Sequence, residues 1–327
     1  MIRSAAILGT GMAIPPRVLT NADLAKLVDT NDEWIVSRTG IRERHIVENG
    51  QATSDLAALA GRQALERAGV SPEAVDLILL ATLSPDMLCP STACLVQAAL
   101  GARNAAAVDL EAACSGFVYG LSLARGAIVS GEAKTVLLIG AEVTSRFVDW
   151  TDRTTCVLFG DAAGAAVLGP SANGRGVLGT VLGADGNGAS LIDVPAGGSR
   201  EPASAETVAA KRHVLRLKGG DVLKSGVRSM TQAVADVLKK CGLAKEEIAL
   251  LVPHQANSRI IGAVAEAAGF PLEKVFQNLD RYGNTSAATI PVALHEAEVQ
   301  GRIKPGDLVC CVAFGGGLTW GAAIIRW

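Results

Sequence analysis

The sequence predicts an α/β fold in which one unit of alternating strand and helix is built twice. Apolar residues make up 49% of the chain and aromatics only 4%, with 36 glycines. That balance suits buried Val, Ile, Leu and Ala strands packed against small-residue helices. The second half then repeats the first. Glu66–Leu79 lines up with Lys239–Val252, each a helix ending at glycine, an acidic turn and a buried strand. Gly164–Leu168 echoes Gly321–Ile325 in the same order. The seam falls at the Pro/Gly/Ser/Asn-rich stretch Pro170–Gly176, dividing the chain into residues 1–172 and 173–327.

Ala5–Gly9 reads as the first buried strand. The Gly9-Thr10-Gly11 that follows lacks the third glycine of a dinucleotide fingerprint and runs into Pro15-Pro16, so that reading is rejected. Asn21–Val28 and Asp32–Ser37 are short capped helices, and Ser54–Ala68 is an amphipathic helix capped by Ser54. Val75–Ala81 is a strand, Ser91–Leu100 a helix, and Ala106–Leu110 a strand that runs straight into Cys114. Phe117–Val129 has helical spacing, and Thr135–Gly140 closes the series as a strand. The order βαβαβ is that of a parallel sheet with helices on its faces. Farther on, Leu250–Val252 is a strand before the helix Ser258–Ala268, and Leu308–Ala313 is a strand leading into Gly315–Gly317. Asp185–Arg212, rich in Gly, Ala and Ser, reads as a long surface loop or flap.

Bulk properties exclude several function classes. Thirty basic residues against 32 acidic ones leave a net charge of −2, so no overall field calls for nucleic acid. Seven cysteines form no CxxC pair and no zinc spacing, and no metal is expected. Their odd number argues for reduced thiols and a cytoplasmic location. The apolar start of the chain is too short for a signal peptide. The best candidate for a membrane span, Val75–Ala81, contains Asp76, so no span is expected.

Three distant segments carry the chemistry: Ala113-Cys114-Ser115-Gly116, Pro253-His254-Gln255-Ala256-Asn257 and Tyr282-Gly283-Asn284-Thr285-Ser286. A thiol that attacks a carbonyl needs a base or electrostatic partner and donors for the oxyanion, and Cys, His and Asn supply those parts if the fold joins them. Cys114 sits where a strand becomes a helix, a place where the helix dipole and free N–H groups are expected to lower its pKa. His254 stands at the carboxyl end of a strand, where ligands bind in doubly wound sheets. The other six cysteines and His45, His213 and His295 read as packing or surface residues. Cys310 and Cys311, adjacent on a strand, must point to opposite faces.

With these segments in hand, the chain resembles the β-ketoacyl-acyl-carrier-protein synthase III family, condensing enzymes of the thiolase superfamily. The resemblance rests on Asp32–Ile41, Ala113–Phe117, Phe159-Gly160-Asp161, Pro253–Asn257, Tyr282–Ser286 and Ala313–Gly321, in family order over nearly the whole chain. One small departure is Ala162, where the family often has glycine. The resemblance implies a thiolase-like five-layer αβαβα fold with two duplicated halves, a homodimer, and no cofactor, acyl-CoA being a substrate. It implies that Cys114 takes the acyl group, that His254 and Asn284 serve the decarboxylation of malonyl-acyl carrier protein, and that the N–H groups of Cys114 and Gly316 form the oxyanion hole. It further implies coenzyme A binding by Trp34, Arg38 and Arg153, carrier-protein docking at Arg259 and Lys224, and an acyl pocket bounded by Phe159 and Cys89. Cys89 stands where bacterial relatives often carry a bulky Phe, so a primer longer than acetyl, or branched, is expected. A polyketide starter synthase, an acyltransferase to oxygen or nitrogen, and a papain-type hydrolase use comparable residues and remain alternatives.

Overall fold

In the computed structural model, which describes residues 4–171 and 173–327, two mixed sheets alternate with three layers of helix. The first sheet contains β1 (Ser4–Ala13), β2 (Leu77–Ala81), β3 (Ala106–Leu110), β4 (Val136–Glu142) and β5 (Ala162–Ser171), in the spatial order β1-β5-β4-β2-β3. The second contains β6 (Gly176–Ala184), β7 (Ile248–Pro253), β8 (Leu308–Gly315) and β9 (Thr319–Arg326), in the order β6-β9-β8-β7. Read from β1 and from β6, both sheets run antiparallel, antiparallel, parallel. The counterpart of β3 in the second sheet is reduced to one parallel bridge between Leu251 and Val275. The boundary residue Ala172, like Met1–Arg3, lies outside the described residues.

Alternating side chains distribute the strands between separate cores. On the outer face of the first sheet, Ile78, Leu80, Ile139 and Val167 pack under α2 (Thr53–Ala68) and α3 (Thr92–Leu100). Between the sheets run α4 (Gly116–Ser130) and α7 (Thr289–Val299), whose Phe117, Leu121, Ile290 and Leu294 meet Leu79, Leu138, Val252 and Cys311. Beyond the second sheet, α5 (Gly219–Cys241) and α6 (Ser258–Ala268) cover Leu251, Cys310 and Ile324. Each large apolar side chain buried this way contributes about 1.5–3 kcal/mol. Cys310 and Cys311 enter different cores, as their adjacency on a strand requires.

Several sequence expectations are corrected. The sheets are mixed because β5 and β9 return antiparallel beside their predecessors. Helix α2 begins at Thr53, not Ser54: Asp55 accepts the Ala52 N–H at 2.8 Å, while the Ser54 hydroxyl is drawn to Asp86 at 2.6 Å. The helix from Asn21 stops at Leu24, and that from Asp32 runs on to Thr39. The flap 185–212 holds a 3-10 turn at Gly186–Leu191 and a helix at Ala205–Ala209. By length and composition Ala113–Ser130 would suffice to cross a membrane; in the fold half of it is buried, as α4 and the turn before it. Gly9 and Gly11 lie inside β1, where a Cβ would stand 2.5 Å from Ala68 N and 2.3 Å from Ala60 O. They bring strand and helix into contact and form no nucleotide loop.

The architecture delivers two similar turns to one place. A 3-10 turn at Ala113–Ser115 opens α4, and another at Ser286–Ala288 opens α7; the two pack together. Each starts with a non-glycine residue in the left-handed region, Ala113 at φ 45° and Ser286 at φ 50°. Gly140 of β4 lies against the second turn, where a Cβ would come within 2.3 Å of Ala287 O. Gly140→Ala therefore displaces backbone. We expect it to lower stability by about 1–3 kcal/mol, seen as a drop in Tm, and to reduce turnover because the Ser286–Ala288 turn must shift.

Candidate active site

Cys114 occupies the middle of the first turn and is held there by the end of the second sheet. The Thr319 hydroxyl donates to the Ala112 carbonyl at 2.9 Å, and the Ser115 hydroxyl to the Thr319 carbonyl at 3.1 Å. Strand β8 reaches the turn closely enough that a Cβ on Gly315 would stand 2.7 Å from Cys114 N. The thiol donates to the Ser286 hydroxyl at 3.4 Å. Contrary to the lowered pKa expected at a helix start, the thiol is pushed up to about 12. Burial is the main cause; the bond to Ser286 lowers it in part, and the negative charge of Glu142 adds to the rise. At rest the thiol is neutral.

His254 follows β7 directly, its N–H donating to the Val312 carbonyl at 2.8 Å. It is buried, and Asn257, not His254, caps α6 by accepting the Arg259 N–H at 2.8 Å. The ring Nδ1 lies 2.7 Å from the Thr289 hydroxyl, which is 2.9 Å from the Ser286 carbonyl. Desolvation holds the ring far below its ordinary range, at about 3, so it is neutral at working pH. Asn284 is pinned by backbone: its N–H donates to Leu158 O at 2.8 Å, and Gly160 N–H donates to Asn284 O at 3.1 Å. Its side-chain oxygen accepts the Ser286 N–H at 2.9 Å, leaving the amide NH2 for other contacts.

Cys114, His254, Asn284 and Gly316 all line one cavity of about 330 Å³. Phe159 also lines it, as do Trp34 and Arg38. The guanidinium groups of Arg38 and Arg153 stand 5.5 and 5.3 Å from the Trp34 ring centroid, and Arg153 also donates to the Asp29 carbonyl at 2.8 Å. Lys224 and Arg259 are exposed beside the lining residues Leu223 and Ile260. Cys89 sits on an exposed loop before α3 and does not line this chain's cavity.

Two stretches of the chain match known family models. Residues 108–186 match the model of 3-oxoacyl-[acyl-carrier-protein] synthase III, and residues 238–327 match that of its C-terminal part. The β-ketoacyl-[acyl-carrier-protein] synthase III of Symbiobacterium thermophilum is 56% identical over 326 residues, covering 100% of this chain and 99% of that one. The chain belongs to the β-ketoacyl-acyl-carrier-protein synthase III family. Crystal structures of 3-oxoacyl-[acyl-carrier-protein] synthase III from Aquifex aeolicus and of β-ketoacyl-[acyl-carrier-protein] synthase III from Thermus thermophilus superpose with TM-scores of 0.92 and 0.91. Their identities are 50% and 46%, covering 99% and 98% of this chain and 100% and 99% of theirs. A synthase III of this family is an acyltransferase, a condensing enzyme on the thiolase-like fold.

Within this family member, sequence reasoning passed over two residues beside Cys114. Ser286 was visible in its motif without a role. Glu142 was lost because the strand reads as ending at Gly140, while it runs two residues farther. An acidic residue closing an otherwise apolar strand, at the carboxyl end of a sheet, is the signal that marks it. The neutral histidine has a measurable consequence. An unfolded histidine protonates below about 6.5, whereas His254 resists until about 3. Its contribution to stability is present above that upper value and is lost as pH falls through the window between the two. Thermal melts at pH 7.5 and 5 should show a larger loss for wild type than for His254→Asn.

Proposed function

We propose that this chain catalyses the initiating condensation of type II fatty acid synthesis. An acyl-CoA, acetyl or a longer or branched primer, transfers its acyl group to Cys114 with release of CoA. Malonyl-acyl carrier protein then loses CO2, and the resulting enolate attacks the acyl carbonyl to give 3-ketoacyl-acyl carrier protein and the free thiol. The observation that carries the reading is the convergence of Cys114, His254 and Asn284 on one cavity that also reaches Trp34.

Each role has a physical basis. The Asn284 oxygen is engaged by Ser286 N–H, which supports its NH2 as a donor to the enolate oxygen. His254 is neutral; the Thr289 hydroxyl gives its proton to the Ser286 carbonyl and so accepts from Nδ1–H, which leaves Nε2 as a lone-pair site that burial makes a weak proton acceptor. Loss of a donor such as the Asn284 amide costs about 2.7–4 kcal/mol of barrier. The N–H groups of Cys114 and Gly316 hold the oxyanion of the acyl intermediate. Trp34 and Arg153 part to admit the adenine between them, with Arg38 at the phosphates. Arg259 and Lys224 lie beside the cavity rim, where an acidic carrier protein would meet local positive charge on a nearly neutral chain. No cofactor enters this scheme.

The reading includes a cytoplasmic homodimer of chains with halves at 1–172 and 173–327, the common order of the two sheets supporting that division. Strand β3 is an edge with Val108 47% exposed, and Leu88 nearby is 88% exposed; covering such apolar surface favours pairing of two copies. In that dimer the partner subunit's Cys89 bounds the acyl tunnel behind Phe159, and its small side chain leaves room for added methylenes at about 0.8 kcal/mol each.

Two measurements test this. Intact mass after incubation with mixed acyl-CoAs should show one acyl adduct on wild type and none on Cys114→Ala; an unlabelled wild type would overturn the assignment. Across a primer series, kcat/KM should favour longer or branched acyl-CoA, and a wide preference for acetyl-CoA would reject the pocket reading. CO2 release from malonyl-carrier protein separates condensation from transfer to oxygen or nitrogen and from hydrolysis.

A further inference from the structure

Acylation of Cys114 removes a proton from a neutral thiol, and the scheme above leaves that proton without a destination. His254 is a weak acceptor, since burial already disfavours its charged form. Glu142 lies nearer the problem. It closes β4 with no solvent exposure, and among the described residues it forms no ion pair. Its carboxylate instead faces donors from two elements. The Ser84 hydroxyl donates to it at 2.5 Å, Thr82 Oγ1 and Leu83 N–H at 3.2 Å, and Ala287 N–H at 3.4 Å. Burying a carboxylate without a cation costs several kcal/mol, so a purely structural need would be met more cheaply by an apolar residue.

The Ala287 contact brings the carboxylate up against the Ser286 turn. The Ser286 hydroxyl accepts from the Cys114 thiol at 3.4 Å, and the N–H of the next residue, Ala287, reaches Glu142 at 3.4 Å. Thiol and hydroxyl are in contact, and the carboxylate adjoins the turn that carries the hydroxyl. We propose that Glu142 is a positioning residue that receives, through the Ser286 hydroxyl, the proton released by Cys114 when it attacks the acyl-CoA thioester. The inference rests on the assignment of Cys114 as the acyl acceptor.

In this step the Cys114 S–H bond breaks as the new S–C bond forms. The thiol proton passes to the Ser286 oxygen, while that hydroxyl's own proton passes to a Glu142 oxygen. When the tetrahedral intermediate collapses, its C–S bond to coenzyme A breaks and the proton returns by the same path to the departing thiolate. One buried negative charge moves, and no second one is created. This suits a site where ionised Glu142 opposes a thiolate beside it. Burial raises Glu142 to about 7, which makes it an acceptor poised near neutral pH. The elements around it, Thr82–Ser84, Ala113–Ser115 and Ser286–Ala288, bring no titratable group but Cys114; Glu111 lies just before that turn.

The test is single-turnover acylation of the full-length protein, using the acyl-CoA that labels wild type best, from pH 5.5 to 9. Wild type, Glu142→Gln, Glu142→Asp and Ser286→Ala are compared. Wild-type acylation should fall as pH drops through about 7. Glu142→Gln and Ser286→Ala should each be slower by at least about 100-fold and lose that inflection, with KM for acyl-CoA unchanged and partial recovery in Glu142→Asp. A slowing that retains the inflection marks a structural role and overturns the proposal, as does acylation of both variants at the wild-type rate. If Glu142→Gln does not fold, Ser286→Ala decides alone, because it removes the hydroxyl and keeps the carboxylate. A wild type that no acyl-CoA labels overturns the parent assignment as well; variants that match an active wild type overturn only this one.

Discussion

The close packing of the turns Ala113–Ser115 and Ser286–Ala288 is the constraint on which the rest of this structure depends. Each opens a helix of the central layer, and each begins with a left-handed residue that is not glycine. Such backbone is held only where its surroundings over-determine it. Here the surroundings are the two sheets, with glycines at 140 and 315 that admit backbone where a methyl group would not fit. The five layers are the means by which Cys114, from the first half of the sequence, and His254 and Asn284, from the second, are held at one cavity.

The electrostatics follow from the same packing. Burial between the two sheets raises the thiol, lowers the histidine and raises the glutamate, each toward its neutral form. Near neutral pH the charge such a site holds is the carboxylate of Glu142, which titrates at about 7. Donors fixed in advance are then effective, since they need no reorganisation when the oxyanion forms.

Much of this was legible along the chain. The duplicated unit showed itself in Glu66–Leu79 and Lys239–Val252, since helix ends and buried strands carry local signatures. Cys114, His254 and Asn284 were each visible at the end of a strand or in a Gly/Asn turn, and the structure gathers them in one cavity. What failed did so where a distant partner decided the outcome. Ser54 has the chemistry of a helix cap, but Asp86, 32 residues on, claims its hydroxyl. The thiol at a helix start suggested a lowered pKa, and desolvation by the opposing half overrides that local effect. The return direction of β5 and β9 likewise belongs to the assembled sheets and is not contained in their apolar runs.

The shortened strand of the second half carries a consequence of its own. Where the first half spends five residues on β3, its counterpart makes one bridge at Val275, and the chain that follows is released from its own sheet. That freed length crosses to the other half and re-forms backbone pairing there, with Phe159 and Asn284 side by side. Hydrogen-bonding capacity given up at a sheet edge is thereby reinvested as a tether between the repeats. That arm carries Asn284 to the cavity that Cys114 also lines. Cys114 comes from the first half of the sequence and His254 and Asn284 from the second, so neither half alone can line the cavity they share.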